Sequence, residues 1–72
     1  MGSKYPVLTP KEIIKTLEKF GFKFISQKGS HMKYGNGNRV VVIPNHSEVA
    51  KSTLKSILSM AGIELDDFLN LL

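Results

Sequence analysis

One histidine in this chain stands in a setting suited to proton transfer. His31 follows a Gly-Ser pair and lies between Lys28 and Lys33, in the stretch Gln-Lys-Gly-Ser-His-Met-Lys-Tyr that spans residues 27–34. The unperturbed pKa of histidine, about 6.5, allows an imidazole to give and accept protons near neutrality. Lysines on both sides of the ring would hold a polyanion against it. The stretch therefore predicts a nucleic-acid site at which a reaction takes place.

One chemistry that fits these residues is metal-free cleavage of RNA; the alternative is that His31 is a strand residue whose ring fills space beside the helices. Such cleavage needs a group that deprotonates a 2′-hydroxyl, a group that protonates the leaving oxygen, and positive charge on the phosphate, which histidine and lysine supply. Metal-dependent cleavage would need clustered carboxylates, and the acids here are scattered or confined to the last residues. We therefore expect no metal and no cofactor. The candidate RNA-binding residues are Lys28, Gly29, Ser30, Lys33 and Lys51, the last because it precedes the predicted start of a helix with free backbone amides.

His46 is the only other histidine. If the turn of the predicted hairpin centres on Asn36-Gly37, His31 faces Val42, and His46 lies four residues further along, roughly 13 Å at about 3.3 Å per residue. One phosphate could not touch both rings at that separation. This geometry predicts that His46 is a loop residue with a structural role, with RNA contact as the alternative, and it argues against a metal site built from the two histidines.

Length and composition limit the number of domains and the kinds of site that the chain can contain. Its 72 residues indicate one domain, residues 1–72, of which residues 1–3 have the composition of a cloning remnant. There is no cysteine, and no apolar run approaches the roughly 20 residues that span a bilayer, so we expect a cytoplasmic protein. The net charge is +4, but residues 4–55 carry +7 and residues 56–72 carry −3. The basic part would attract phosphates, although lysines that merely keep a small domain in solution are an equal alternative on charge alone.

The elements that must position His31 begin with a helix. Thr9-Pro10-Lys11-Glu12 is a capping box with proline at the first helical position, and Gly21 supplies a stop. The spacing predicts a helix over residues 10–20, with an apolar face formed by Ile13, Ile14, Leu17 and Phe20.

Three strands and two further helices follow. Residues 22–27 alternate in the strand period, and residues 31–34 and 39–43 form a hairpin around a Gly-Asn-Gly-Asn turn. In the first strand the alternation predicts one face with Phe22 and Phe24 and another with Lys23, Ile25 and Gln27. Residues 45–51 are predicted to be a loop, after which Ser52 caps a helix that Gly62 ends, and residues 65–72 form a short last helix. The apolar residues of these two helices are Leu54, Ile57, Leu58 and Ala61, then Leu65, Phe68, Leu69 and Leu72.

This order predicts an α+β fold. Three antiparallel strands in an αβββα arrangement can be covered on one face by the two longer helices, with a short C-terminal helix added. The other face of the sheet is then available to a ligand or partner. We expect Tyr34, at the end of a strand, to pack rather than to stack on a base.

Several segments, taken together in their order and spacing, resemble the HicA family of toxins. They are Lys28-Gly29-Ser30-His31 with Tyr34, Val42-Ile43-Pro44-Asn45-His46, Thr53-Leu54-Lys55-Ser56-Ile57-Leu58, Ala61-Gly62 and Phe68-Leu69. The resemblance covers essentially everything from Thr9 onward. It implies a double-stranded-RNA-binding-domain-like fold, an endoribonuclease that cleaves messenger RNA and stops translation, and a HicB-family antitoxin as partner. In that family the histidine of the Gly-Ser-His turn is catalytic, which corresponds to His31.

Two other classes of function fit the same residues. The chain could be an RNA-binding module that does not cleave, in which case replacing His31 by Ala would leave its function intact. It could also be a protein-interaction domain without RNA activity, which salt-sensitive RNA binding by the purified chain would contradict. On the nuclease interpretation, sequence specificity should be modest because little surface is available to read bases. The sequence leaves the oligomeric state open.

Overall fold

The computed structural model describes residues 5–72, so the expectation about residues 1–3 lies outside the described residues. Six elements follow one another along the chain: α1 (Pro10–Lys19), β1 (Lys23–Lys28), β2 (His31–Gly35), β3 (Val40–Pro44), α2 (Lys51–Ala61) and α3 (Leu65–Leu71). The strands form one antiparallel sheet in the order β1-β2-β3. The predicted αβββα fold with a short C-terminal helix is confirmed.

Helix α1 begins with the predicted capping box. The Thr9 hydroxyl accepts a hydrogen bond from the Glu12 backbone N–H, and the Glu12 carboxylate accepts one from the Thr9 backbone N–H. Pro10 occupies the first helical position, where a missing N–H costs nothing. Ile13 and Leu17 are fully buried, which confirms that this face packs on the core.

The core lies between the helices and one face of the sheet. Burial alternates along β2 and β3, with Met32, Tyr34, Val41 and Ile43 buried and the residues between them exposed or half-buried. Across from these strands, α2 contributes its predicted apolar stripe, Leu54, Ile57, Leu58 and Ala61. The opposite face of the sheet, here called the open face, carries exposed His31 and Lys33 of β2.

Strand β1 contains a bulge that the alternation did not predict. Phe24 pairs with Tyr34, and Ser26 pairs with Lys33, so Ile25 is an extra residue between two pairs. Downstream of the bulge the faces are exchanged. Gln27 pairs with buried Met32 and therefore lies on the core side, and the prediction that it shares a face with Lys23 was wrong.

The turn between β2 and β3 centres one residue later than predicted. The Asn36 side-chain oxygen accepts hydrogen bonds from the backbone N–H groups of Asn38 (2.9 Å) and Arg39 (2.7 Å), which closes the turn on Gly37-Asn38. Gly37 has φ 94°, a value that favours glycine. As a result His31 pairs with Pro44, and the prediction that it faces Val42 was wrong. A shift of two residues changes the partner of each residue but not the face on which its side chain lies, because the side-chain period is two.

Helix α2 begins two residues earlier than a cap at Ser52 would place it. Its N-cap is Ala50, which offers no side-chain hydrogen bond, and Lys51 is the first helical residue, so Ser52 lies inside the helix and does not cap it. The helix ends at the predicted Gly62.

Helix α3 closes the core from the C-terminal side. Phe68 is fully buried, while Leu65 and Leu69 pack half-buried against the core. Leu72 is 49% exposed and lies after the end of the helix, so its predicted packing role was wrong. The Lys19 ammonium donates to the Leu71 carbonyl at 2.7 Å, which joins the ends of α1 and α3. No helix in the described part of the chain is long and apolar enough to cross a membrane.

Candidate functional site

A tight turn places His31 at the first position of β2. Lys28 pairs directly with His31, which leaves only Gly29 and Ser30 between the two strands. Gly29 has φ 61° while Ser30 does not have a positive φ, a combination that matches a type II′ hairpin turn. Such a turn needs glycine at its first central position, so the Gly-Ser sequence fixes where His31 emerges.

The His31 ring lies on the open face and is exposed to solvent. Lys28 is its cross-strand partner, so the two side chains share this face with β-carbons about 5 Å apart. Lys33 follows two residues along β2 on the same face. We call Lys28, His31 and Lys33 the basic strip. The structure thus brings together three of the residues that the sequence singled out, and a nucleotide can reach the imidazole.

Positive charge on the open face extends beyond the basic strip, to a lysine that the sequence did not single out. Lys23 pairs with Gly35, so it stands on the open face beyond Lys33. Beside it the surface becomes apolar, because Val40 is half exposed and the Ile25 side chain lies 2.7 Å from where a β-carbon on Gly35 would be. The open face therefore carries lysines from the His31 end to Lys23, and apolar side chains lie beside Lys23 at the Gly35 end.

The segment after β3 runs beside the Gly29-Ser30 turn. The Asn45 backbone N–H donates to the Ser30 carbonyl at 2.6 Å, so Asn45 lies next to Ser30 although 15 positions separate them in the chain. His46 follows at once and is exposed. It lies two residues beyond Pro44, the partner of His31, so the predicted four-residue separation of roughly 13 Å was wrong.

The remaining predicted site residues differ in how close they lie to His31. Gly29 and Ser30 immediately precede it, and both are exposed. Lys51 is exposed at the first position of α2, on a different element from the basic strip.

Tyr34 packs as predicted. It is only 7% exposed, and its ring meets the Phe24 ring edge to face at 5.6 Å between centroids. Burial, and to a smaller extent the charge of Glu18, raises the pKa of the Tyr34 phenol above its usual value.

The site at His31 has neither a cavity nor a cluster of metal ligands among the described residues. A shallow cavity of about 340 Å³ is lined by residues of α1 and by Leu72, and by none of the hairpin residues. Among residues 5–72 there is no group of three or more His, Asp or Glu side chains placed to hold a metal ion. The site at His31 is therefore an open, basic surface, which suits an extended polyanion better than an enclosed small molecule.

Comparison with models of known protein families identifies the family of this chain. The family model described as HicA toxin of bacterial toxin-antitoxin systems matches residues 10–63, which include the whole sheet and both longer helices, whereas α3 lies outside the match. Among curated proteins no relative matches. Because the match spans well over half of the sequence, the chain belongs to the HicA family, the toxins of bacterial toxin–antitoxin pairs.

Proposed function

We propose that this toxin is a metal-independent endoribonuclease that cleaves messenger RNA in the cytoplasm, with His31 as a proton-transfer group. The observation that carries the proposal is the exposed His31 ring on an uncovered sheet face, with Lys28 as its cross-strand neighbour. Membership of a toxin family and the basic character of the surrounding surface support it.

The reaction follows from what the basic strip can do. When RNA lies on the open face, Lys28 and Lys33 hold the phosphate by charge and stabilise the extra negative charge of the phosphorane. The His31 imidazole exchanges a proton with the attacking 2′-hydroxyl or with the leaving 5′-oxygen. The products are a 2′,3′-cyclic phosphate and a 5′-hydroxyl.

The antitoxin would inhibit by keeping RNA from reaching His31. A HicB-family partner that covers the basic strip would block the phosphate from reaching His31. Because the residues of the strip are exposed on the outside of the domain, a partner could cover them without rearranging the core.

The test compares binding with cleavage in the same preparations. We expect His31→Ala to bind RNA within about threefold of wild type and to cut it on the order of 10²–10⁴-fold more slowly, the usual contribution of a proton-transfer group. Ser26→Ala is the matched control, because Ser26 is an exposed open-face residue that pairs with Lys33 and carries no proton-transfer role. Equal cleavage by wild type and His31→Ala would refute the proposal, and binding without cleavage by wild type would favour a non-catalytic RNA-binding module.

A further inference from the structure

The shifted hairpin register changes what His46 can do. His31 pairs with Pro44, and the chain continues past the end of β3 with Asn45 bonded to Ser30. His46 is therefore displaced from His31 by two residues along the strand direction, about 6.6 Å, and by one strand spacing of about 5 Å. Because the chain first bends at residue 46, these displacements together put the two α-carbons roughly 8 Å apart.

Two hydrogen bonds restrain the segment that carries His46. Asn45 is held to Ser30 at 2.6 Å, and Val49 is held by its backbone N–H to the Leu8 carbonyl at 2.7 Å. Only the three bent residues 46–48 lie between these anchors. Val49 is also buried in the core, so this short loop cannot swing far from the turn that precedes His31.

We propose that His46 is the second proton-transfer group of the site, acting on the same phosphodiester as His31. This inference rests on the proposed endoribonuclease function. In an in-line displacement the attacking and leaving oxygens lie on opposite sides of phosphorus, so the reaction needs two proton-transfer groups that can flank one phosphate, a need that a single imidazole does not meet.

The two imidazoles act as base and acid in one displacement at phosphorus. One imidazole takes the proton of the 2′-hydroxyl as the 2′-oxygen bonds to phosphorus. The other, in its imidazolium form, gives a proton to the 5′-oxygen as the bond from phosphorus to that oxygen breaks. The charged groups around the pair are Lys28 and Lys33 on the side of His31, and Glu48 two residues after His46.

The decisive experiment changes the leaving group. The cutting position of wild type is first mapped on an oligoribonucleotide, in EDTA. The 5′-oxygen at that position is then replaced by sulfur, which leaves without a proton because thiols are far more acidic than alcohols. Wild type, His31→Ala, His46→Ala and Ser26→Ala are compared on both substrates, with thermal melts to verify folding.

On the oxygen substrate we expect His31→Ala and His46→Ala each to lose on the order of 10²-fold or more. On the sulfur substrate one of the two should recover to within about tenfold of wild type, namely the variant that lacks the proton donor, while the other stays inactive. A group that only positions RNA or the loop would not be rescued in this way.

Three results would overturn the inference. The first is that His46→Ala cuts the oxygen substrate within threefold of wild type while His31→Ala is inactive, which leaves the proposed function standing. The second is that both variants respond to sulfur alike, which shows that the two histidines do not take separate roles as base and acid. A wild type that cuts neither substrate would refute the endoribonuclease assignment itself, and this inference with it.

Discussion

Replacing Asn36 tests the turn that sets the position of His31. The Asn36 side chain accepts two backbone hydrogen bonds, from Asn38 and Arg39, and these close the turn on Gly37-Asn38. Asn36→Ala removes the acceptor and leaves both N–H groups without their partner. The register that pairs His31 with Pro44 depends on this turn.

The size of the effect follows from the two bonds. A hydrogen bond contributes about 0.5–1.5 kcal/mol net, and water can replace part of it at this exposed loop, so we expect Asn36→Ala to lower the free energy of unfolding by about 1–2 kcal/mol. A domain of this length has a total of roughly 4–11 kcal/mol at about 0.05–0.15 kcal/mol per residue. Urea unfolding should therefore show a clearly lower midpoint with an unchanged slope.

Two control variants separate the acceptor from the loop. Asn36→Asp keeps a side-chain oxygen at the same place and should lose less than about 0.5 kcal/mol. Asn38→Ala, in the same exposed loop, keeps its backbone N–H and should behave similarly. If Asn36→Ala matches wild type, or if Asn36→Asp is as damaging as Asn36→Ala, the side chain does not set the turn.

Three further predictions concern the core, the phenol and the basic strip. Phe68→Ala should cost about 3–5 kcal/mol in urea unfolding because the ring is fully buried, whereas Leu72→Ala, half exposed, should cost less than about 0.5; a small effect of Phe68→Ala would mean that α3 is not part of the domain core. Because the folded state raises the pKa of Tyr34, the unfolded chain releases that proton first, so stability should fall as pH rises above about 10, and Tyr34→Phe should lack this fall. Lys28→Ala and Lys33→Ala should each flatten the salt dependence of RNA binding by about 0.7 in log–log slope, and unchanged slopes would place the phosphates elsewhere.

Local signals predicted the elements well, because each signal lay within one element. The capping box of Thr9 and Glu12 formed as expected, and the apolar stripe of α2 is buried. The setting of His31 also came from adjacent residues, since Gly29 is the residue that a tight turn requires there. The error in register changed the cross-strand partners but not the faces, so Val41 and Ile43 lie on the core side with either turn centre.

The features that sequence reasoning missed depend on residues far apart in the chain. The bulge at Ile25 accompanies Gly35 on the neighbouring strand, whose missing side chain leaves the space that Ile25 occupies. Helix α2 begins two residues after Val49, which pairs with Leu8. The local pattern around Ser52 does not reveal this pairing. The approach of Asn45 to Ser30, and with it the position of His46, required the correct centre of a turn whose glycines and asparagines permit more than one.

The most direct test of the central claim is the chemistry of the ends that this toxin leaves on RNA in the presence of EDTA. We expect a 2′,3′-cyclic phosphate and a 5′-hydroxyl from wild type, and the same ends formed on the order of 10²-fold or more slowly by His31→Ala under the same conditions. Cleavage that the chelator abolishes, or 5′-phosphate ends, would contradict it.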